Sequence, residues 1–268
     1  MASSLSRNSA SIPPEVRMFF RDIKEHPDDD TPRLIFADWL QEHGDAAAAA
    51  RGEFLRLQVL RHRLTPDDPN YGLLKRREGE LFTEHCWTWL GPLADVTTWT
   101  FERGMIRLTA RAQKIVLKTK IAEWARTEAG LWIDALALTN VVTAQAHVIH
   151  LARSPLLDHL NRLDLSDSDL RDSFFLLTQT HLLPFLTELV LPRNRLTAGH
   201  VTFLAQRPHF RRLTILDLQY NRLDDAAARL LVESPHLKNL ATLRLGHNRF
   251  SAKGIALLRQ AFGERVCL

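Results

Sequence analysis

The segment Leu213-Thr-Ile-Leu-Asp-Leu-Gln-Tyr-Asn-Arg-Leu223 decides the fold of this chain because its spacing recurs. Leucine occupies the first, fourth, sixth and eleventh positions, and asparagine occupies the ninth. Copies of this pattern begin near residues 133, 160, 186, 213 and 240, at intervals of 27, 26, 27 and 27 residues. The copy at 160 has Ser168 in place of asparagine, and the copy at 133 is weaker and has no asparagine. Residues 131–268 therefore form a phased repeat region.

Each copy predicts one short strand followed by one helix. Alternating leucines place one side of the strand in a core and leave the intervening side chains on the other side. Where the chain leaves the strand, a side-chain amide can bond the backbone of the neighbouring turn, so we predict a structural ladder of Asn194, Asn221 and Asn248. Residues typical of helix N-caps come next: Asp172, Thr197, Asp224 and Ser251. The sequence thus predicts an α/β fold.

The repeat region resembles the leucine-rich-repeat family, and its unit length with a helix in each unit resembles the ribonuclease-inhibitor-like class. The resemblance covers about 131–268. It implies a solenoid with parallel strands on the concave side and helices on the convex side. It also implies that the concave side binds another protein.

The preceding residues predict a smaller, mostly helical domain over 15–95, after a disordered leader over 1–14. A strand and helix cap at 96–130 is expected to join this domain to the repeats. The helical region contains the string Pro27-Asp-Asp-Asp-Thr-Pro-Arg-Leu-Ile-Phe-Ala-Asp-Trp-Leu-Gln-Glu-His-Gly-Asp45, and further on Phe101-Glu-Arg-Gly-Met-Ile106. These stretches resemble the repeat-companion domain of planctomycete-type bacteria, a family that implies no assigned activity. A run of five alanines, Ala46 to Ala50, departs from that pattern and leaves either a helix or a linker there.

Composition restricts the function classes. Of the 46 leucines, 32 follow residue 130, which the repeat accounts for. The net charge of +4 favours anionic partners only weakly, because basic and acidic residues are interspersed. Two cysteines are too few for a disulfide framework. No run of 18 apolar residues occurs, so we expect a cytoplasmic protein without a membrane partner.

Candidate binding residues follow from the alternation along each strand. The side chains between and just after the strand leucines should line the concave face, and those of mixed charge or aromatic character suit a protein interface. We predict a partner-binding face made of Asp164, Asp167, Arg193, Asp217, Gln219, Tyr220, Arg244 and His247. Val190 should lie in one row with Asp164, Asp217 and Arg244.

Two other functions stay open. An arginine follows the ninth position in three copies, at Arg195, Arg222 and Arg249, and such a column could bind the phosphates of a nucleic acid. An acidic cluster in the helical region could serve an uncharacterised enzyme; it comprises Asp28, Asp29, Asp30, Asp38, Glu42, Asp45 and Glu53. The favoured interpretation of this cluster is a structural ion-pair network of Arg33, Asp38, Glu53 and Arg56 that ties two helices together.

No sequence motif for nucleotide binding or for hydrolase chemistry occurs. We therefore expect no cofactor, no metal and no small-molecule substrate. The sequence predicts a non-enzymatic protein–protein interaction module, with a nucleic-acid partner as the less favoured alternative.

Overall fold

A computed structural model of the chain describes residues 12–94, 98–111, 123–139, 151–170, 173–179 and 183–268. Most of the predicted leader lies outside the described residues, as does the predicted N-cap Asp172. The described residues form a mixed α/β structure with an open sheet of eight strands, which confirms the predicted fold class at that level.

Four long helices come first in the chain, and strands alternate with short helices in the second half. Helices over the described residues are α1 (Pro14–Glu25), α2 (Thr31–His43), α3 (Ala46–His62), α4 (Tyr71–Leu90), α5 (Glu128–Leu131), α6 (Phe174–Gln179), α7 (Ala198–Gln206), α8 (Asp225–Glu233) and α9 (Ala252–Phe262). The strands are β1 (Thr98–Glu102), β2 (Met105–Arg111), β3 (Ile133–Thr139), β4 (Arg162–Asp164), β5 (Glu188–Val190), β6 (Ile215–Asp217), β7 (Thr242–Arg244) and β8 (Val266–Cys267).

The chain divides into two compact units. The first unit runs to Ala94 and also contains Glu102–Met105 and Glu123–Trp132. The second unit contains Asp95–Phe101, Ile106–Ala122 and Ile133–Leu268. The residues of the predicted junction over 96–130 are divided between these two units.

An aromatic core holds the first unit together. The rings of Phe20, Phe36 and Trp132 lie with centroids 4.8 to 5.4 Å apart, and all three side chains are buried. Phe20 lies on the buried stripe of α1 with Val16 and Ile23, at the spacing of one helix face. Each buried ring contributes about 1.5–3 kcal/mol through the hydrophobic effect. Sequential packing of α1 to α4 follows from this core.

The alanine run belongs to a helix and not to a linker. Asp45 is the N-cap of α3, and its Oδ1 accepts a hydrogen bond from the N–H of Ala48 at 2.9 Å. This cap and the high helix propensity of alanine start α3 at Ala46. Helix α4 starts at Tyr71, and the Oδ1 of Asp68 accepts a hydrogen bond from the N–H of Asn70 just before it.

The second unit contains the sheet strands that belong to the repeats. Strands β2 to β8 are parallel to their neighbours and follow chain order. The central strand leucines pair in register across the sheet and are buried: Leu136, Leu163, Leu189, Leu216 and Leu243. Each copy of the sequence pattern thus supplies one strand, as predicted. The Val141 and Thr143 positions of the first copy lie outside the described residues.

Helices between the strands begin at the predicted caps. Thr197 caps α7 together with His200, the Asp224 carboxylate accepts from the N–H groups of Ala226 and Ala227, and Ser251 caps α9. Helices α6, α7, α8 and α9 pack each against the next. Across the described ranges, no helix is both long and apolar enough to cross a membrane.

Candidate partner-binding surface

The buried Asn194 and Asn221 and the half-buried Asn248 fix the loops that follow β5, β6 and β7. The Oδ1 atom of Asn221 accepts hydrogen bonds from the N–H groups of Asn194 and Leu196, both at 3.0 Å. Its Nδ2 atom donates to the carbonyls of Leu191 at 2.9 Å and Leu218 at 3.0 Å. One amide thus satisfies four backbone groups and joins its own loop to the preceding one. The ladder consists of Asn194, Asn221 and Asn248, and Ser168 takes the corresponding place at its start.

The residue directly before each ladder residue adopts a left-handed backbone conformation. The φ angle is +55° at Asp167, +56° at Arg193, +54° at Tyr220 and +60° at His247. For most residues with a β-carbon this conformation costs about 1–2 kcal/mol; glycine avoids the cost, and aspartate tolerates the conformation better than most. The loops therefore hold four side chains where the backbone alone favours glycine. We call these four residues the post-strand row.

The side chains of the post-strand row contact one another in sequence. A guanidinium nitrogen of Arg193 lies 3.6 Å from a carboxylate oxygen of Asp167, and the Arg193 Cζ lies 4.7 Å from the Tyr220 ring centroid. The Tyr220 and His247 rings are stacked, with centroids 4.0 Å apart and planes at 9°. An ion pair, a cation–π contact and a ring stack thus form one continuous chain of contacts. Strands in a sheet are about 4.8 Å apart, which is why rings on adjacent repeats can stack.

This row is exposed. The side chains of Arg193 and Asp167 are 58% and 47% exposed, and Tyr220 is 43% exposed. An exposed ion pair of this kind contributes about 0–1 kcal/mol to stability. The fold therefore gains little from these side chains, and they are accessible to a partner.

Of the other predicted binding residues, Asp164, Asp217 and Arg244 lie at the ends of strands and Gln219 lies two residues after β6; the two acids are shielded. Strand register places Asp164, Val190, Asp217 and Arg244 in one row, as predicted. The Asp217 side chain is 8% exposed, and its Oδ1 accepts from the N–H of Gln219 at 3.0 Å. Asp164 makes the same turn with the N–H of Ser166 at 3.0 Å. These two carboxylates form turns at the strand ends, whereas Arg244 is 44% exposed and reaches Asp217 at 3.6 Å.

The arginine column is uneven. Arg195 lies 3.4 Å from the carboxylate of Asp169 and also has a left-handed backbone, with φ of +57°. Arg222 and Arg249 are exposed and have no carboxylate partner within the described part of the chain. Charge is therefore left uncompensated at only two of the three positions.

The ion pairs in the structure differ from the network that the sequence predicted. Arg56 pairs with Asp38 and joins α3 to α2. Glu53 pairs instead with Arg77 of α4, at 2.7 Å and 3.0 Å, and these bonds lower the pKa of Glu53. The buried Arg33 donates to the carbonyl of Asp29 at 3.0 Å. Sequence spacing did not identify Arg77, because it lies on a different helix, 24 residues after its partner Glu53.

One acid of the cluster, Asp30, is bound by arginines at the turn between β1 and β2. Arg103 and Gly104 have φ angles of +47° and +81° and form this two-residue turn. Arg103 donates to Asp30 and, at 2.8 Å, to the carbonyl of Pro27, while Arg63 binds the second oxygen of Asp30 at 2.9 Å. Burial opposes ionisation of Asp30, but the two arginines outweigh it and lower its pKa.

Arg51 is the buried centre of the first unit and was not recognised in the sequence. It is 3% exposed, and its Nη2 donates to the carbonyl of Gly104 at 2.9 Å. The guanidinium lies 4.2 Å from the Trp132 ring and 4.9 Å from the Trp89 ring. Burial lowers the pKa of Arg51 to about 9, against the opposing attraction of Glu128. A β-carbon on Gly104 would lie 1.9 Å from Leu55, so glycine is required for this docking.

Within the described residues, no group of three or more histidine, cysteine, aspartate or glutamate side chains is arranged to hold a metal ion. Cys86 and Cys267 are both free thiols.

Neither the protein-family models nor the curated proteins compared with this chain gave a match.

Proposed function

We propose that the second unit is a leucine-rich-repeat solenoid and that the exposed side of its strands binds a protein partner. The chain would then be a non-enzymatic interaction module, and the first unit a helical companion domain that carries the repeats. The free state of both cysteines supports a reducing, cytoplasmic setting. The observation that carries the binding proposal is the post-strand row, where four mutually contacting and exposed side chains occupy left-handed positions.

The solenoid proposal is supported by the regular relation between neighbouring strands. Strand-to-strand pairing advances by 26 or 27 residues from β4 to β7, and each ladder asparagine binds the loop before its own. In such an architecture a unit contacts only its neighbours, so one whole unit can be removed without loss of the others. Deletion of residues 213–239 is expected to leave a cooperatively folded protein by circular dichroism. A molten product would contradict this part of the proposal.

Protein binding suits the chemistry of the surface. Aromatic and arginine side chains carry a large share of the binding energy in protein interfaces. Tyr220, Arg193 and Arg244 present both kinds of side chain within three adjacent repeats. The exposed Asp167, paired with Arg193, keeps the surface polar, as in interfaces between proteins that also exist separately.

The experiment compares partner capture by matched surface variants. Wild-type protein on beads captures proteins from a nuclease-treated lysate of its source cells, next to a double variant, Tyr220→Ala with Arg244→Ala. The control is Phe175→Ala with Arg229→Ala, which changes helix residues of similar exposure, since Phe175 is 41% and Tyr220 43% exposed. We expect a specific protein band that only the strand-side variant loses. A band retained by that variant, or lost equally in both variants, would remove the strand side from the proposal.

A further inference from the structure

We propose that the partner docks through an extended, carboxylate-bearing peptide segment that lies across the post-strand row at the repeats from 213 to 249. This inference rests on the proposed function and specifies the chemistry of its partner. Three observations lead to it: the way the rings are stacked, the location of the uncompensated cations, and the engagement of the nearby acids as hydrogen-bond acceptors.

The Tyr220 ring, packed between Arg193 and His247, offers its edge to a ligand and not its faces. Arg193 and His247 come from β5 and β7 repeats, on either side of the β6 repeat that carries Tyr220. Arg193 and His247 therefore cover opposite faces of the Tyr220 ring, at 4.7 Å and 4.0 Å. The edge of an aromatic ring is electropositive, and here it carries a phenol O–H, an imidazole N–H and guanidinium N–H groups. A ligand that meets this edge needs hydrogen-bond acceptors.

The cations without acidic partners lie at the same end of the surface. Arg193 and Arg195 are compensated by Asp167 and Asp169, in the repeat that begins at 160. Arg222 and Arg249 follow Tyr220 and His247 by two residues and are exposed without a carboxylate in the described part of the chain. The backbone joins their loops, because the N–H of Tyr220 donates to the carbonyl of Gly246 at 2.9 Å. Two free guanidinium groups on adjacent repeats favour a segment with at least two carboxylates.

The acids near these arginines are already engaged as acceptors, Asp224 by the N–H groups of Ala226 and Ala227 and Asp225 by Ser251, so they repel such a segment less strongly. The Asp217 side chain is 8% exposed, and its oxygens are directed to the N–H of Gln219 and to Arg244. The exposed acids of the surface, Asp167 and Asp169, lie two repeats away on the far side of Arg193. Because these two acids lie at a different repeat from Arg222 and Arg249, we expect the acidic part of the docked segment to lie over the repeats that begin at 213 and 240.

The ring geometry favours this ligand over a nucleic acid. Non-specific binding of single strands depends on open aromatic faces on which bases stack. Both faces of Tyr220 are covered within the row, so such stacking is restricted to the outer face of His247. A peptide carboxylate needs no open face, since charge-assisted hydrogen bonds to the ring edges and to arginines suffice.

A displayed library of random dodecapeptides tests the inference on the full chain. The library is selected on wild-type protein after depletion on a double variant, Tyr220→Ala with His247→Ala. Recovered peptides are then measured on Arg222→Gln with Arg249→Gln. The matched control is Arg229→Gln with Arg259→Gln, which removes two exposed charges from the helices α8 and α9. A dT20 oligonucleotide is titrated in parallel.

We expect peptides rich in aspartate and glutamate that bind about tenfold more weakly to the Arg222 and Arg249 variant, and less than twofold more weakly to the control. Row-dependent peptides without acidic enrichment would overturn the acidic segment but leave protein binding by this face intact. A library without any row-dependent peptide also overturns this inference, and the capture experiment then judges the proposed function separately. Binding of dT20 that is lost with Arg222 and Arg249 would overturn it in favour of nucleic acid.

Discussion

In the first unit, Asp30 is held between Arg63 and Arg103 with its side chain 10% exposed, whereas in the second unit Arg193 is 58% and Asp167 is 47% exposed. Both regions contain acids and arginines close together. In the first, the charges position a turn against helices; in the second, the asparagine ladder positions the loops and leaves the charges at the surface. The difference shows that residue type alone does not indicate which charged side chains are accessible. Charged side chains stay accessible where another group, here the asparagine ladder, already holds the backbone in place.

The largest expected effect tests the ladder as the element that holds the second unit. Asn221→Ala removes four hydrogen bonds to backbone groups that are then left buried, so we expect a loss of about 4 kcal/mol in the free energy of unfolding. Urea unfolding followed by far-ultraviolet circular dichroism measures it. Asn239→Ala is the control, because Asn239 makes one exposed bond, to the carbonyl of Arg211. Equal effects at the two positions would show that the ladder is not special.

The next effect tests the buried arginine of the first unit. Arg51→Ala empties the space between Trp89 and Trp132 and leaves the Gly104 carbonyl without its donor, so we expect a loss of about 3 kcal/mol. Tryptophan emission reports this unit selectively, since five of the six tryptophans belong to it. Arg51→Met keeps most of the side-chain volume and is expected to lose about half as much. A silent Arg51→Ala variant would refute the role of the guanidinium.

A third prediction concerns the pH dependence of the first unit. The folded-state pKa of Asp30 lies below its ordinary value of 3.8, so its stabilising effect is present above that pH and is lost as the pH falls below it. Asp30→Asn should destabilise the unit by about 2 kcal/mol at pH 7 and flatten the loss of stability on acidification. Asp38→Asn, which changes an exposed pair with Arg56, serves as control with about 0.5 kcal/mol. Parallel acid titrations of tryptophan emission for all three proteins would decide it.

The smallest expected effect is on stability at the proposed binding row. Tyr220→Gly relieves a left-handed backbone by about 1 kcal/mol and loses a stacking contact of about 0.5–1.5 kcal/mol. The net change should stay within about 0.5 kcal/mol, while partner capture is lost. Arg244→Gly, at a strand residue of similar exposure, gains no such relief and should lose about 1 kcal/mol. A loss above 2 kcal/mol for Tyr220→Gly would mean that the row serves the fold.

Much of the second unit follows from the sequence. The leucine spacing predicted β3 to β7 and the in-register row of Asp164, Val190, Asp217 and Arg244, and the residue types after the strands predicted the N-caps Thr197, Asp224 and Ser251. The reason is that these features depend on local periodicity and on one repeating relation between neighbours. The first unit was less predictable: the partners of Glu53, Asp30 and Arg51 are 24, 73 and 53 residues away, and no periodicity relates such distant positions.

The sequence by itself determined which residues face outward in each repeat and which asparagines support the loops, because strand alternation and a 27-residue period leave little freedom. The tertiary structure alone decided which outward side chains are available. It turned Asp164 and Asp217 into turn acceptors, stacked Arg193, Tyr220 and His247 on one another, and gave Arg222 and Arg249 no carboxylate partner among the described residues. These outcomes depend on distances of 3 to 5 Å between residues of different repeats, and only the packed sheet sets those distances.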